Sequence, residues 1–229
     1  MLMPTSLQKP SSNETRSGRR SEAPPDAPPL ARAIEVIGVP MTYAGNCEIY
    51  GEGEPADHLY KVVRGAVRTS KVLADGRRQI GSFYLPGDIF GLEIGNDHAF
   101  SAEAITDSKV LVVRRSALVG LASFDSTITQ EMWKLAGREL ARIQGHILLL
   151  VKNAQERVVS FLLEMADHTP EGRPIELPMS RQDIADYLGL TVETVSRTMT
   201  ALDRDGAIHF LTAHSVMVRQ RSALARLSA

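Results

Sequence analysis

Two charged residues in the C-terminal part of the chain have the chemistry needed to recognise bases in double-stranded DNA. Arg197 can donate two hydrogen bonds to the major-groove edge of guanine, and Glu193 can accept one from the amino group of cytosine. Four residues separate them, so on a helix both side chains lie on one turn of the same face. The same spacing is typical of an ordinary ion pair on a helix surface, worth only about 0.2–0.5 kcal/mol. The surrounding sequence decides between the two interpretations.

The segment around this pair has the pattern of two short helices joined by a tight turn. Ser180 is a favourable N-cap for a first helix, Gly189 can end that helix in the left-handed conformation, and Thr191 can cap a second helix. The second helix would bury one face and expose the opposite, polar face. This helix-turn-helix pattern favours DNA recognition over a simple surface pair. The expected buried face consists of Val195, Met199 and Leu202.

The residues expected to contact DNA lie on the second helix and at the start of the first. Beyond them, residues 208–211 and 215–219 are predicted to form the two strands of a wing. From residue 177 onward the chain has six arginines, no lysine and five acidic residues, a net charge of only +1. Because phosphate contacts dominate nonspecific affinity, we expect modest nonspecific binding and heavier reliance on base contacts. The predicted DNA contacts are Val192, Glu193, Ser196, Arg197, Thr200, Ser180 and Arg181.

Upstream of this segment, residues 127–152 are predicted to form one long helix within a dimerisation region at 127–154. Apolar residues recur at alternating spacings of three and four over three heptads, which is typical of a coiled coil. A helix packed against its own domain shows a similar amphipathic pattern, but the strict spacing favours a homodimer. The predicted seam consists of Trp133, Ala136, Leu140, Ile143, Ile147, Leu150 and Ala154.

Residues 30–126 contain short β-type runs separated by glycine-containing turns. Many short strands with regular turns predict an antiparallel roll or barrel. Buried strands are expected at 59–63 and 109–113, and turns at Asp75-Gly76 and Pro86-Gly87-Asp88.

The two ends of the chain complete the predicted organisation. Residues 155–229 form a third unit, with a helix at 155–167 and a short strand at 175–177 before the helix-turn-helix. Residues 1–29 hold six of the twelve prolines and no periodic apolar pattern, which predicts a disordered tail or a segment that orders on a partner. The predicted fold class is α+β: an antiparallel β-roll, a long dimerisation helix and a winged helix-turn-helix.

Composition argues against several classes of protein. The longest aliphatic run, residues 147–151, is far shorter than the roughly 20 residues of a membrane span. No signal-peptide core is recognisable at the N-terminus, so a cytoplasmic protein without a membrane partner is expected. The net charge of −1 means that any DNA contact must come from a local arrangement of charges.

The candidate metal ligands and redox residues are sparse. Cys47 is the only cysteine, so neither an intrachain disulfide nor a cysteine-ligated iron–sulfur cluster is expected. The six histidines lack metal-ligand spacing, so we predict no cofactor. His146 is expected at the rim of the dimer seam, with a haem or proton-sensing role as the alternative. Cys47 is expected to be a quiet small residue, with a redox switch as the alternative.

The order of roll, long helix and winged helix-turn-helix resembles the CRP/FNR superfamily of bacterial regulators, whose roll binds cyclic nucleotides in some members. The resemblance covers about residues 30–225. The motif LGLTVETVSR at 188–197 is similar to the FNR and FixK branch. The stretch YLPGDIFG at 84–91 resembles the family's roll turn, and KNAQERVVSFL at 152–162 resembles the junction after the dimer helix. On these motifs the chain is identified as FixK-like.

This resemblance implies a function in more detail. Glu193, Ser196 and Arg197 would contact bases of a TTGAT-N4-ATCAA palindrome, and the homodimer would act, as an activator, in low-oxygen respiration or nitrogen fixation. In the family, the loop matching Asp75, Gly76 and Arg77 can touch RNA polymerase; an exposed polar turn is the alternative.

Two departures from the family bear on regulation. The N-terminal tail has none of the cysteines that hold the oxygen-sensing cluster of FNR. In the stretch 99–102, Phe100 replaces the arginine with which CRP binds cyclic AMP, so cyclic-nucleotide binding is not expected. Two other functions stay open: an effector-gated regulator whose roll binds another small molecule, and a cupin-like enzyme, which would need a metal triad in the roll.

Overall fold

A computed structural model describes residues 28–93, 95–149, 151–219 and 221–227. The predicted disordered tail, apart from its last two residues, and the seam residue Leu150 lie outside the described residues. Within these ranges no helix is both long enough and apolar enough to cross a membrane.

The roll consists of two four-stranded antiparallel sheets, with orders β1-β8-β3-β6 and β2-β7-β4-β5. An aromatic cluster that includes Tyr50, Tyr60 and Phe90 fills its interior. The expected buried strands at 59–63 and 109–113 are β3 and β8, and the two expected turns follow β4 and β5. The strands are β1 Val39–Tyr43, β2 Glu48–Tyr50, β3 His58–Arg64, β4 Val67–Val72, β5 Arg78–Tyr84, β6 Ile89–Phe90, β7 Ser101–Ala104 and β8 Ser108–Arg114.

Two helices flank the roll where the sequence analysis expected only strands and turns. Helix α1 spans Pro29–Ile37 and buries Leu30 and Ile34, and helix α2 spans Arg115–Phe124 and buries Leu118. Both pack with the long helix in one apolar cluster. Leu30, Ile34 and Ile37 have the spacing of one helix face, a local signal for α1 that the sequence analysis missed.

The long helix α3 spans Ser126–Leu149, so the prediction that it continues to residue 152 was wrong. Asn153 caps a new helix: its side chain accepts a hydrogen bond from the Glu156 backbone N–H, and the Glu156 side chain accepts one from the Asn153 backbone. This capping box starts a helix and ends the continuity of the one before. Ala154, expected in the seam, therefore belongs to the next helix.

The C-terminal unit is a helical layer with a small three-stranded sheet of order β10-β11-β9. The helices expected at 155–167 and around the turn, the short strand and the two wing strands are all present. The elements are α4 Ala154–Asp167, β9 Ile175–Glu176, α5 Arg181–Leu188, α6 Val192–Arg204, β10 Ile208–Thr212, β11 Ser215–Val218 and a final helix, α7 Arg221–Arg226, that the sequence analysis did not identify.

Candidate DNA-binding interface

Local capping signals fix the geometry of the helix-turn-helix. The Ser180 hydroxyl accepts a hydrogen bond from the Asp183 backbone N–H at 3.0 Å and starts α5. Gly189 ends α5 with φ of +63°, a conformation that is costly for residues with a Cβ. The Thr191 hydroxyl accepts a hydrogen bond from the Thr194 backbone N–H at 3.1 Å and starts α6. All three capping predictions are confirmed.

Helix α6 has one buried and one exposed face. Val195, Met199 and Leu202 are buried in the core of the C-terminal unit, as expected. On the opposite face, the side chains of Arg197 and Glu193 are 72% and 78% exposed, and their Nη1 and Oε1 atoms are 3.7 Å apart. An ion pair this exposed contributes about 0–1 kcal/mol, so it does not prevent Arg197 from turning towards a base.

The other predicted DNA contacts differ in how exposed their side chains are. Thr200 is exposed, and its hydroxyl donates a hydrogen bond to the Ser196 carbonyl at 2.9 Å. Ser196 is half-buried, and Val192 packs partly against the core. Ser180 lies at the exposed start of α5, but its hydroxyl also donates to Asp183 Oδ2 at 2.8 Å, so its proton is already engaged. Their contact with DNA stays a prediction.

Arg181 lies between α6 and the wing. Its guanidinium carbon is 5.1 Å from the centroid of the Phe210 ring, and it also contacts the sulfur of Met199. Burial lowers the pKa of Arg181, which still leaves an arginine protonated at neutral pH. A cleft of about 300 Å³ opens here, and its wall includes the wing residues Thr212 and Ala213. The sequence analysis missed these wing residues, because the wing pattern gives strands but not the direction in which the turn points.

The long helix α3 presents an apolar face that nothing in the described chain covers. Ile128 and Leu135 are buried against α1 and α2 on one side. The predicted seam lies on the other side, where Trp133 is 75% and Ile143 is 49% exposed. The other described residues of the seam on α3, all exposed, are Ala136, Leu140 and Ile147.

A cavity of about 570 Å³ lies between the roll, α3 and the end of α5. Phe100 lines it, with its ring so close that a Cβ on Gly81 would lie 3.1 Å from Phe100 Cε1. Among the described lining residues the one guanidinium is that of Arg142, which is paired with Glu139 and donates to the Tyr84 hydroxyl at 2.9 Å. The described lining thus offers a cyclic phosphate no excess positive charge, since Glu139 balances the charge of Arg142.

Two buried nitrogens at this cavity, Arg142 Nη1 and His146 Nδ1, have no hydrogen-bond partner in the described part of the chain. The His146 ring is 4.5 Å from that of Tyr187. Burial, followed by the charge of Arg142, lowers the pKa of His146. His146 thus lies beside the predicted seam, as the sequence analysis expected, and its side chain is half-buried.

The loop of Asp75, Gly76 and Arg77 projects from the roll between β4 and β5. Arg77 Nε lies 2.7 Å from Asp75 Oδ2, and both side chains are exposed. Hydrogen bonds from the Arg77 backbone and side chain hold the pKa of Asp75 below its usual value. Gly76 has φ of +82°, as the turn prediction required.

Potential metal or redox sites are few in the described ranges. No group of three or more histidine, cysteine or acidic side chains is close enough to hold a metal ion in those ranges. Cys47 is exposed, with a free thiol.

Comparisons with known proteins match this architecture. Residues 156–227 match the Crp-like helix-turn-helix domain, and residues 40–123 match the cyclic nucleotide-binding domain. The chain is 44% identical to the nitrogen fixation regulation protein FixK of Azorhizobium caulinodans, over 94% of this chain and 90% of that protein. It is 40% identical to the protein of the same name from Rhizobium meliloti, over 88% of this chain and 96% of that protein.

A solved structure agrees with these relatives. The structure of FixK2 from Bradyrhizobium japonicum superposes with a TM-score of 0.80 and 47% identity, covering 84% of this chain and 98% of that one. The shared domains, the shared fold and the identity over most of the chain lead to one conclusion: the protein belongs to the FixK-type transcription regulators of the CRP/FNR superfamily, with a DNA-binding helix-turn-helix.

Proposed function

We propose that two copies of the chain bind a TTGAT-N4-ATCAA-like palindrome as a homodimer and activate transcription in low-oxygen respiration or nitrogen fixation, in the cytoplasm. The exposed Glu193–Arg197 pair on α6 is the observation that carries this proposal, because its donors and acceptor suit the bases of a G·C pair. The names of the relatives support the physiological setting and favour a regulator over an enzyme.

The apolar face of α3 supports the homodimer. A second copy would pack the same seam against the first around a two-fold axis, covering Trp133, Leu140, Ile143 and Ile147. A two-fold protein binds two half-sites about one helical turn apart, which matches the palindrome. Each α6 would then lie in the major groove of one half-site.

The remaining contacts follow from the same geometry. Arg181 and the wing cleft beside α6 would contact the backbone of the DNA, where positive charge orients a protein without selecting a sequence. Val192, Ser196, Thr200 and Ser180 would complete the interface. The exposed loop at 75–77 would contact RNA polymerase.

The interior cavity supports a second candidate, in which a small molecule gates DNA binding. The unpartnered nitrogens of Arg142 and His146 would be satisfied by a molecule with acceptor or donor groups and an apolar body. Because the cavity touches the roll, α3 and α5, such a molecule would contact all three.

Fluorescence anisotropy on a labelled TTGAT-N4-ATCAA duplex separates the two candidates. We expect the protein, purified in air without added nucleotide or metal, to bind this duplex with at least about a thousand-fold preference over one with scrambled half-sites. Binding that appears only with cyclic AMP, or only without oxygen and with iron present, would contradict the first proposal. Binding restored by a cell extract from which macromolecules have been removed would favour the gated candidate.

A further inference from the structure

A partly buried group of charged residues connects the roll to the DNA-binding unit. We name it the interdomain cluster; its members are Arg68, Arg78 and Glu103 from the roll and Asp183 and Asp186 from α5. Arg78 Nη2 lies 2.6 Å from Asp183 Oδ1, and Arg78 Nε lies 2.8 Å from Asp186 Oδ2. Arg68 Nη1 lies 3.3 Å from both carboxylate oxygens of Asp183, and Arg68 Nε lies 2.9 Å from Glu103 Oε2.

The centre of the cluster is shielded from water, whereas the side chains of Arg78 and Glu103 at its edge are 29% and 30% exposed. The Asp183 side chain is 4% exposed and that of Arg68 is 11% exposed. Burial alone would raise the pKa of Asp183, but two hydrogen bonds from Ser180 and the charges of both arginines outweigh it and hold this pKa below its usual value. Asp183 is therefore charged at neutral pH. Removing a partner of a buried charge is strongly destabilising, because the remaining charge is left without compensation.

Apolar contacts surround the cluster and have a different effect. Ile80 and Phe83 of β5 join the apolar core of the DNA-binding unit, with the Phe83 ring 5.2 Å from that of Tyr187. Such contacts hold two surfaces together but tolerate sliding and rotation, since they are not directional. Charge-assisted hydrogen bonds between guanidinium and carboxylate groups do fix direction. The cluster thus supplies charged, directional contacts where α5 meets the roll.

The long helix does not continue into the DNA-binding unit. Helix α3 ends at Leu149, and α4 begins at Ala154 after a non-helical stretch at 151–153. A continuous helix would have set the direction of the DNA-binding unit relative to the dimer helix. Here the unit contains α5 and α6 in one core, so whatever orients α5 also orients α6.

We propose that Arg68 and Arg78 are positioning residues, which fix the direction of α6 in the dimer and thereby set the spacing between the two half-sites that the protein accepts. This inference rests on the proposed binding of a palindrome by a dimer. It also explains how the protein could have a DNA-ready orientation without an effector.

The test compares affinities for duplexes whose half-sites are separated by three, four, five or six base pairs. We expect Arg78→Glu to reduce the preference for the four-base-pair spacer by about ten-fold. Its discrimination between a correct and an altered G·C pair should stay unchanged, because α6 itself is intact. Arg78→Glu combined with Asp186→Arg restores one of the two pairs of opposite charge, while Asp183 keeps its charge opposite the new carboxylate, so it should recover part of the spacer preference.

Two controls keep the result interpretable. Arg77→Glu makes the same change of charge at the adjacent, exposed position and should leave the spacer preference as in the wild type. Circular dichroism and sedimentation establish that each variant is folded and dimeric; if Arg78→Glu is not, Arg78→Gln replaces it with the same expectation. A folded dimer of the Arg78 variant that keeps the wild-type spacer preference would overturn this inference alone. A wild-type protein that binds no palindrome would overturn the proposed function and this inference with it.

Discussion

Replacing Ile143 with lysine tests whether the exposed face of α3 is the dimer interface. Ile143 is 49% exposed in the single chain, so dimerisation would bury about half of its side chain in each copy. Full burial of such a side chain is worth about 1.5–3 kcal/mol, so half-burial in two copies contributes roughly 1.5–3 kcal/mol. Losing it alone weakens the dimer by about 10- to 150-fold. Two lysine charges facing each other in a dry interface add to that loss.

The single tryptophan of the chain provides the assay. Trp133 is 75% exposed in the protomer and lies in the same seam, so its fluorescence should shift to shorter wavelength when the dimer forms. A dilution series followed by fluorescence and by sedimentation velocity gives the dissociation constant. Gln144→Lys adds the same charge at the next, exposed position off the seam and should leave the dimer intact. If Ile143→Lys dimerises as tightly as Gln144→Lys, the seam packs elsewhere.

Two further predictions concern stability. Burial lowers the folded-state pKa of His146, so below its ordinary value of about 6.5 the unfolded chain binds a proton that the folded chain does not. The stabilisation present above pH 6.5 is thus lost as the pH falls through the folded pKa. His146→Phe should therefore flatten the decline of the melting temperature below pH 6.5. An unchanged pH dependence of the melting temperature would refute this. Gly189→Ala should lower the free energy of unfolding by about 1–2 kcal/mol in urea titrations, because φ is +63° at Gly189 although there is room for a Cβ. The control is Gly120→Ala within α2, which should not destabilise the protein. Equal stability of Gly189→Ala and the wild type would contradict it.

Local signals made the DNA-binding unit predictable from the sequence. Ser180, Gly189 and Thr191 each act on backbone groups within three or four residues, so their types alone define where α5 and α6 begin and end. The break after α3 carried a local signal too. Asn153 and Glu156 have the spacing of a capping box, but the continuing apolar pattern suggested one uninterrupted helix.

Contacts between residues far apart in the sequence could not be predicted from local signals of this kind. In the sequence, Asp183 is a favourable acidic residue in the first turn of a helix, and nothing nearby indicates that it also binds Arg68, which is 115 positions away. The same holds for Arg78, whose neighbour Arg77 forms only a local pair with Asp75. Which of two adjacent arginines reaches the carboxylates of α5 depends on how two units pack, and that is a property of the tertiary structure.

The most direct test of the central claim is the base preference of an Arg197→Ala variant. The bidentate contact of Arg197 with guanine is worth about 1–3 kcal/mol per half-site, so a dimer with independent sites would lose roughly 2–6 kcal/mol of the about 4–10 kcal/mol that separates specific from nonspecific binding. Arg204→Ala, at an exposed arginine in the last turn of α6, is the matched control.

The measurement compares each variant on the TTGAT-N4-ATCAA duplex and on one with its G·C pairs changed to A·T. We predict that Arg197→Ala loses most of the wild-type preference for the first duplex and keeps only the part that Glu193 contributes, whereas Arg204→Ala discriminates between the two duplexes as the wild type does. Discrimination by Arg197→Ala as strong as that of the wild type would contradict the assignment of α6 as the helix that selects the sequence through Arg197.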